Sequence, residues 1–273
     1  WIYNFSLPPL LVHSFLFEDS TYLNRWSKKL PNTKMGNNYL NFIASHDGIG
    51  MRPVEGYLKK EKLSLLFNRL KKNGGQLSYR KVQGSSKKVY EANITLFNAF
   101  QKTDYDKKGK FFFERYISAH AIMIAFEGVP AIYLNSIFGT SNDEHKYIIS
   151  GNKRDLNRYK WNKKRLDNLL KNKRSKQSIF YKQILNLISI KKQNKAFHPN
   201  AKRENLNMGK KIFCFKRTSL DKKQTIYNIT NLSSKYQKFK FNYKFSKYKN
   251  LLDKTSLSHK SELKPFETLW LSN

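Results

Sequence analysis

Apolar and polar positions divide the chain into two stretches of different period. Ile2–Phe5 reads as a short strand, and a helix follows from about Pro8, where proline suits a first turn. Asp19–Leu30 carries a second helical pattern. Asn41–Ser45 holds Phe42, Ile43 and Ala44, the run that a buried parallel strand offers, and it stops abruptly at His46-Asp47-Gly48-Ile49-Gly50. A long excursion then occupies about 48–109. Within it Leu63, Leu66, Phe67 and Leu70 fall at helical spacing and predict a helix near Glu61–Lys72. Gly74-Gly75 breaks that helix, and Gln83–Lys88 reads as a polar loop. Lys110–Glu127 predicts a helix that becomes buried, ended by Gly128, with Val129–Leu134 as the next buried strand. Asn168–Gln193 contains a further helix, with Ile179, Ile184, Leu187, Ile188 and Ile190 apolar.

From Phe197 the period moves toward two. Ile212–Phe215, Thr225–Ile229 and Phe239–Tyr243 read as short strands separated by turns, which predicts a small antiparallel β domain. No internal repeat is visible.

Charge changes the picture less than its size suggests. The 273 residues carry a formal net charge of +34. Nucleic-acid readers favour Arg for two-pronged contacts, whereas here Lys outnumbers Arg 42 to 11 and is spread along the whole chain. The balance argues for codon bias and against nucleic acid as a partner. No apolar run reaches membrane-spanning length, since Glu114, Arg115 and Glu127 interrupt the most apolar region. The single Cys214 forms no internal disulfide, which suits a cytoplasmic setting. The six histidines are scattered and predict no metal site.

His46-Asp47-Gly48-Ile49-Gly50-Met51-Arg52-Pro53-Val54-Glu55-Gly56 resembles the last catalytic region of the α-amylase superfamily, in its sucrose-phosphorylase-like branch. Tyr3–Leu10, Gly128–Tyr133 and Arg154-Asp155-Leu156-Asn157-Arg158 agree with that branch and come in its order. The resemblance implies an α/β fold: residues 1–196 as the C-terminal part of a (β/α)8 TIM barrel, and 197–273 as a C-terminal β domain. It implies that Asp47 is a fixed carboxylate that stabilises the transition state, and that His46 and Arg158 contact the sugar. Tyr90 and Glu91 resemble an acceptor-side Tyr-Glu-x-Asn, and Arg52 lies on the same side. Arg52 and Glu91 depart from the sucrose-specific pattern, which points to an anionic or polyol aglycone. Arg154 and Asp155 are expected to pair with each other or with framework groups. The alternative for Tyr90-Glu91 is a helix start before Ile94.

The family's nucleophilic Asp and acid/base Glu have no counterpart here, and residue 1 is Trp. The chain is therefore expected to be the C-terminal part of a longer α-glucoside phosphorylase, beginning near its sixth strand and inactive alone. The implied partners are a small α-glucoside (sucrose, sucrose 6'-phosphate, glucosylglycerol or glucosylglycerate) and inorganic phosphate as co-substrate, with no cofactor. A hydrolase or transglucosidase of the same superfamily, and a non-catalytic basic binding protein, remain open. The oligomeric state is left undetermined.

Overall fold

A computed structural model describes residues 1–83, 85–239, 248–255 and 262–273. Its first layer is a small parallel sheet. Strand β1 (Ile2–Tyr3) is followed by helices α1 (Leu7–Phe17) and α2 (Thr21–Lys29) and then by β2 (Tyr39–Asn41). Both β1 and the later β6 (Val129–Pro130) pair with β2 in parallel, in the order β1-β2-β6. Helix α1 opens on Pro8 and Pro9 and buries all its residues from Leu7 to Leu16, which are apolar but for His13 and Ser14.

The strand at the motif is shorter and earlier than the expected Asn41–Ser45. Pairing ends at Asn41 because the neighbouring β6 reaches Pro130, which has no N–H to donate. Ala131 N–H closes the ladder on the Asn41 carbonyl at 2.7 Å. Asn41 itself is buried and turns its side chain into the sheet's end, accepting from Asn4 at 2.8 Å. His46 and Asp47 therefore sit on the loop beyond the C-terminal end of β2, and Phe42 and Ala44 are only half-buried.

The excursion forms a second, antiparallel unit. Strand β3 (Ile49–Gly50) is followed by a tight turn at Arg52–Val54, helix α3 (Lys60–Lys72) and a hairpin of β4 (Gln76–Val82) and β5 (Ser85–Asn93). The sheet order is β3-β5-β4. Most of the expected polar loop at Gln83–Lys88 is thus strand, and Tyr90-Glu91 starts no helix. Helix α4 (Leu96–Ala99) begins after the strand, with the Thr95 hydroxyl capping Asn98 N–H.

Helix α5 (Phe112–Ala125) is almost wholly buried and leads through Gly128 into β6. Gly128 has φ +98°, and a Cβ there would run into the Tyr39 carbonyl oxygen of β2, so only glycine lets the two strands meet. The expected strand Val129–Leu134 stops at Pro130. Short helices α6 (Leu134–Ile137) and α7 (Glu144–Ser150) follow, then a 3-10 segment Lys153–Asn157, α8 (Lys163–Lys171) and α9 (Lys176–Gln193).

The C-terminal part contains β7 (Lys202–Leu206), β8 (Ile212–Thr218), β9 (Thr225–Asn231), β10 (Gln237–Lys238), β11 (Lys249–Asn250), β12 (Glu262–Leu263) and β13 (Thr268–Ser272). Five of these form an antiparallel sheet, β11-β13-β9-β8-β7. Of the expected strand Phe239–Tyr243, Phe239 is buried just past β10, and the rest lies outside the described residues. Alternation sorts the sheet's side chains. Phe213, Phe215, Ile226 and Trp270 join the core of the helices, while Ile212, Cys214, Ile229, Leu269 and Leu271 build a second cluster on the other face.

Three cations, Arg217 and Arg203 buried and Lys191 half-buried, fasten sheet to helices. Arg217 donates to the Ala125 carbonyl at 2.7 Å and the His198 carbonyl at 2.6 Å. Lys191 donates to the Ile124 carbonyl at 2.9 Å and the Phe197 carbonyl at 3.2 Å. Ile124 and Ala125 end α5, so these side chains supply partners for carbonyls that a helix leaves unpaired. Arg203 pairs with Glu127 at 3.3 Å and donates to the Ser27 carbonyl at 2.8 Å.

Candidate active site

The Asp47 loop is held by the Arg154–Arg158 segment, which lies more than a hundred residues further on. Asn157 donates its side-chain amide to the Asp47 carbonyl, and Arg158 Nε donates to the His46 carbonyl at 3.1 Å. The same guanidinium places Nη2 2.9 Å from Asp47 Oδ1. Asn157 is in turn fixed: its carbonyl accepts from the Tyr133 hydroxyl at 2.8 Å. Burial raises the Tyr133 phenol above its usual pKa, which keeps it a donor.

Asp47 has two further basic neighbours. Arg154 Nη1 lies 3.3 Å from Oδ1, and His46 Nε2 lies 3.4 Å away. The Asp47 side chain is 32% exposed and that of His46 66%, so both face open space. Asp47, His46 and Arg158, each singled out from the sequence for contact with a sugar, lie together here. Arg158 differs from expectation in one respect: its fork is committed to Asp47 and the His46 backbone.

Arg154 was expected to pair with Asp155 or framework groups. Instead it bridges Asp47 to Glu91, donating from Nε to Oε1 at 3.1 Å and from Nη2 to Oε2 at 3.0 Å. Glu91 lifts the Arg154 pKa above its ordinary value. Asp155 pairs with Lys146 at 3.0 Å. Glu91 is buried, and Asn93 donates to its Oε1 at 2.5 Å. Gly48 makes room for this: a Cβ there would lie 2.6 Å from the Ala92 carbonyl oxygen and 2.9 Å from Glu91 Cγ. The expected acceptor-side Glu91 is therefore bound up in an internal ion pair.

Tyr90 is half-buried beside it on β5, and its carbonyl accepts from Met51 N–H at 2.8 Å, which brings the Tyr90 and Arg52 stretches together. Arg52 is exposed and has no ion pair among the described residues. Sequence reasoning missed Arg154, Asn157 and Asn93. The first two lie inside the Arg-Asp-x-Asn-Arg string itself, so the signal was present and only the partners were not.

No family model matches the chain. Glucosylglycerate phosphorylase from Allomeiothermus silvanus is 32% identical over 200 residues, 73% of this chain and 36% of the relative. Sucrose phosphorylase from Agrobacterium vitis is 27% identical over 206 residues, 72% of this chain and 38% of the relative. The crystal structure of sucrose 6F-phosphate phosphorylase from Thermoanaerobacter thermosaccharolyticum matches with a TM-score of 0.70 at 19% identity, over 85% of this chain and 43% of that one, a likeness of fold. The chain thus belongs to the α-amylase superfamily, glycoside hydrolase family 13. Within it, the chain is a homologue of the sucrose-phosphorylase-like glycoside phosphorylases. It spans a little over a third of the length of the curated relatives it matches.

Proposed function

We propose that this chain carries the sugar-contacting part of a retaining α-glucoside phosphorylase. The enzyme transfers glucose from a small α-glucoside to inorganic phosphate and releases glucose 1-phosphate. In this reading β1, β2 and β6 belong to a (β/α)8 barrel, residues 1–196 being its C-terminal part, and residues 197–273 form the β domain. The observation that supports it best is the Asp47 carboxylate. It is held by Arg158 at 2.9 Å and Arg154 at 3.3 Å on a loop past a parallel strand, in a chain homologous to glycoside phosphorylases.

Two steps follow from the family resemblance. An Asp nucleophile beyond these residues attacks C1; the C1–O bond to the aglycone breaks, and a Glu acid gives the leaving oxygen its proton. Phosphate oxygen then attacks C1, its proton returns to that Glu, and the ester to the Asp breaks. Positive charge builds on the sugar ring in both transition states. Asp47 is placed to stabilise it and to accept from ring hydroxyls. His46 contacts a sugar hydroxyl from its exposed ring. Tyr90 and Arg52 face the acceptor, with glucosylglycerate, glucosylglycerol, sucrose and sucrose 6'-phosphate as the candidate substrates. Phosphate is a co-substrate, and no cofactor enters. The reading places the enzyme in the cytoplasm; among the described residues no helix is long and apolar enough to cross a membrane.

The test is product analysis on the natural protein that carries this chain, with each glucoside and with or without phosphate. Phosphate-dependent glucose 1-phosphate is expected. Free glucose at the same rate in both conditions would overturn phosphorolysis in favour of hydrolysis.

A further inference from the structure

We infer that Glu91 is a positioning residue: it restricts Arg154 to a single contact with Asp47 and so keeps one oxygen of that carboxylate open to the sugar. The inference rests on the reading of Asp47 as a sugar-contacting carboxylate. All three basic neighbours of Asp47 converge on Oδ1: Arg158 at 2.9 Å, Arg154 at 3.3 Å and His46 at 3.4 Å. Among the described residues, Oδ2 has no hydrogen-bond partner. A carboxylate beside two guanidiniums would ordinarily be gripped through both oxygens, because the two-pronged arrangement is the stronger one.

The reason it is not lies in Glu91. Arg154 spends Nε and Nη2 on the two Glu91 oxygens, at 3.1 and 3.0 Å, and only its remaining Nη1 reaches Asp47. Glu91 keeps this hold because it is rigid. It is buried on β5, opposite Gly50 and Ser78, and Asn93 fixes Oε1 at 2.5 Å. Besides Glu91 and Asp47, Arg154 has no acid within ion-pair distance among the described residues. Without the Glu91 charge, the strongest attraction left to Arg154 is Asp47. Its fork then closes over both Asp47 oxygens, and a sugar hydroxyl has to displace a charge-assisted pair to enter.

The experiment is a suppressor test in the natural protein. Glu91→Gln keeps the shape of residue 91 and removes its charge. It is expected to lower kcat/KM for the glucoside about 10–100-fold. The decisive variant is E91Q/R154Q, which also removes the fork that would close. Recovery to within roughly fivefold of the starting enzyme is expected, since the two residues share one interaction. A double variant as poor as E91Q, or poorer, would overturn the inference, because a Glu91 that merely supports the fold or touches substrate gains nothing from losing Arg154. A structure of E91Q reads the same point without activity. Arg154 is expected with two nitrogens on Asp47, and Arg154 still directed at residue 91 sinks the idea. If no glucoside is turned over but Arg154 moves in E91Q, Glu91 still positions Arg154 and the phosphorylase reading falls.

Discussion

Arg80 Nη2 binds both carboxylate oxygens of Glu55, at 3.1 and 3.0 Å, and so takes up the acid nearest to Arg52 in the sequence. Glu91, the other acid on that side, is taken by Arg154. Arg52 therefore keeps a free charge at the proposed acceptor side. The natural protein is expected to prefer an anionic or polyol acceptor, such as glycerate, glycerol or a fructose phosphate, over free fructose in the reverse reaction. Arg52→Ala should lower kcat/KM for glycerate about tenfold or more, since charge-assisted bonds are roughly twice as strong as neutral ones. Ranking acceptors by kcat/KM with glucose 1-phosphate checks it: fructose first, with a ranking unchanged in R52A, removes the argument.

Asp47→Asn should cost roughly 10²–10³ in kcat or more, with a smaller change in substrate affinity, because the lost charge matters most as positive charge builds on the ring. Steady-state kinetics with matched melting curves measure the effect, and near-normal kcat would contradict the role given to Asp47.

Arg158→Lys tests geometry at constant charge. One ammonium does not span Asp47 Oδ1 and the His46 carbonyl as the guanidinium does, at 2.9 and 3.1 Å. Activity is expected to fall about tenfold or more while the melting temperature hardly moves, since ion pairs this exposed contribute about 0–1 kcal/mol. A large loss of stability with normal kcat would place Arg158 in the framework.

Gly48→Ala puts a Cβ 2.6 Å from a backbone oxygen of β5. The collision is with main chain, so the loop must shift. A destabilisation of about 1–3 kcal/mol is expected, together with reduced activity. A variant with unchanged stability and kinetics would mean that the loop gives way freely.

Lys191 predicts an unusual pH dependence. Burial, assisted by Arg217, pushes its pKa down to about 7 from the usual 10.5. Between those values the unfolded chain binds the extra proton. Stability from this group therefore rises as pH climbs from about 7 toward 10.5, and its burial is most costly below 7. Lys191→Met should gain most near pH 6 and flatten the rise, by an amount on the order of a few kcal/mol across the window. Denaturant titrations at pH 6, 8 and 10 read it, and parallel curves for the two proteins would refute it.

Legibility in the sequence followed the kind of signal each element carries. Helix α3 was readable because its apolar residues keep one period, and strands β8 and β9 because they are apolar on both faces, each against its own cluster. The arm Ser85–Asn93 was not, since its first part is serine and lysine, and it is a strand only because β4 lies beside it. Strand β7 was missed for a related reason. Its inward residue is Arg203, a polar letter at a buried position, made tolerable by Glu127 from a distant segment. At the site, the strings around Asp47 and Arg158 were legible through family resemblance. The bond from Arg154 to Glu91 was not, because it joins residues 63 positions apart and only the fold brings them together.

Arg217 reaches Ala125 across 92 residues of chain. During synthesis, helix α5 thus leaves the ribosome with its last carbonyls unclaimed, and it waits for the lysine and arginine that will claim them. At about 5–20 residues per second that delay is roughly 5–20 s. Over that interval an almost entirely apolar helix has no covering sheet. The arrival of β8 closes that interval, and a chaperone that shields α5 until then would act within it.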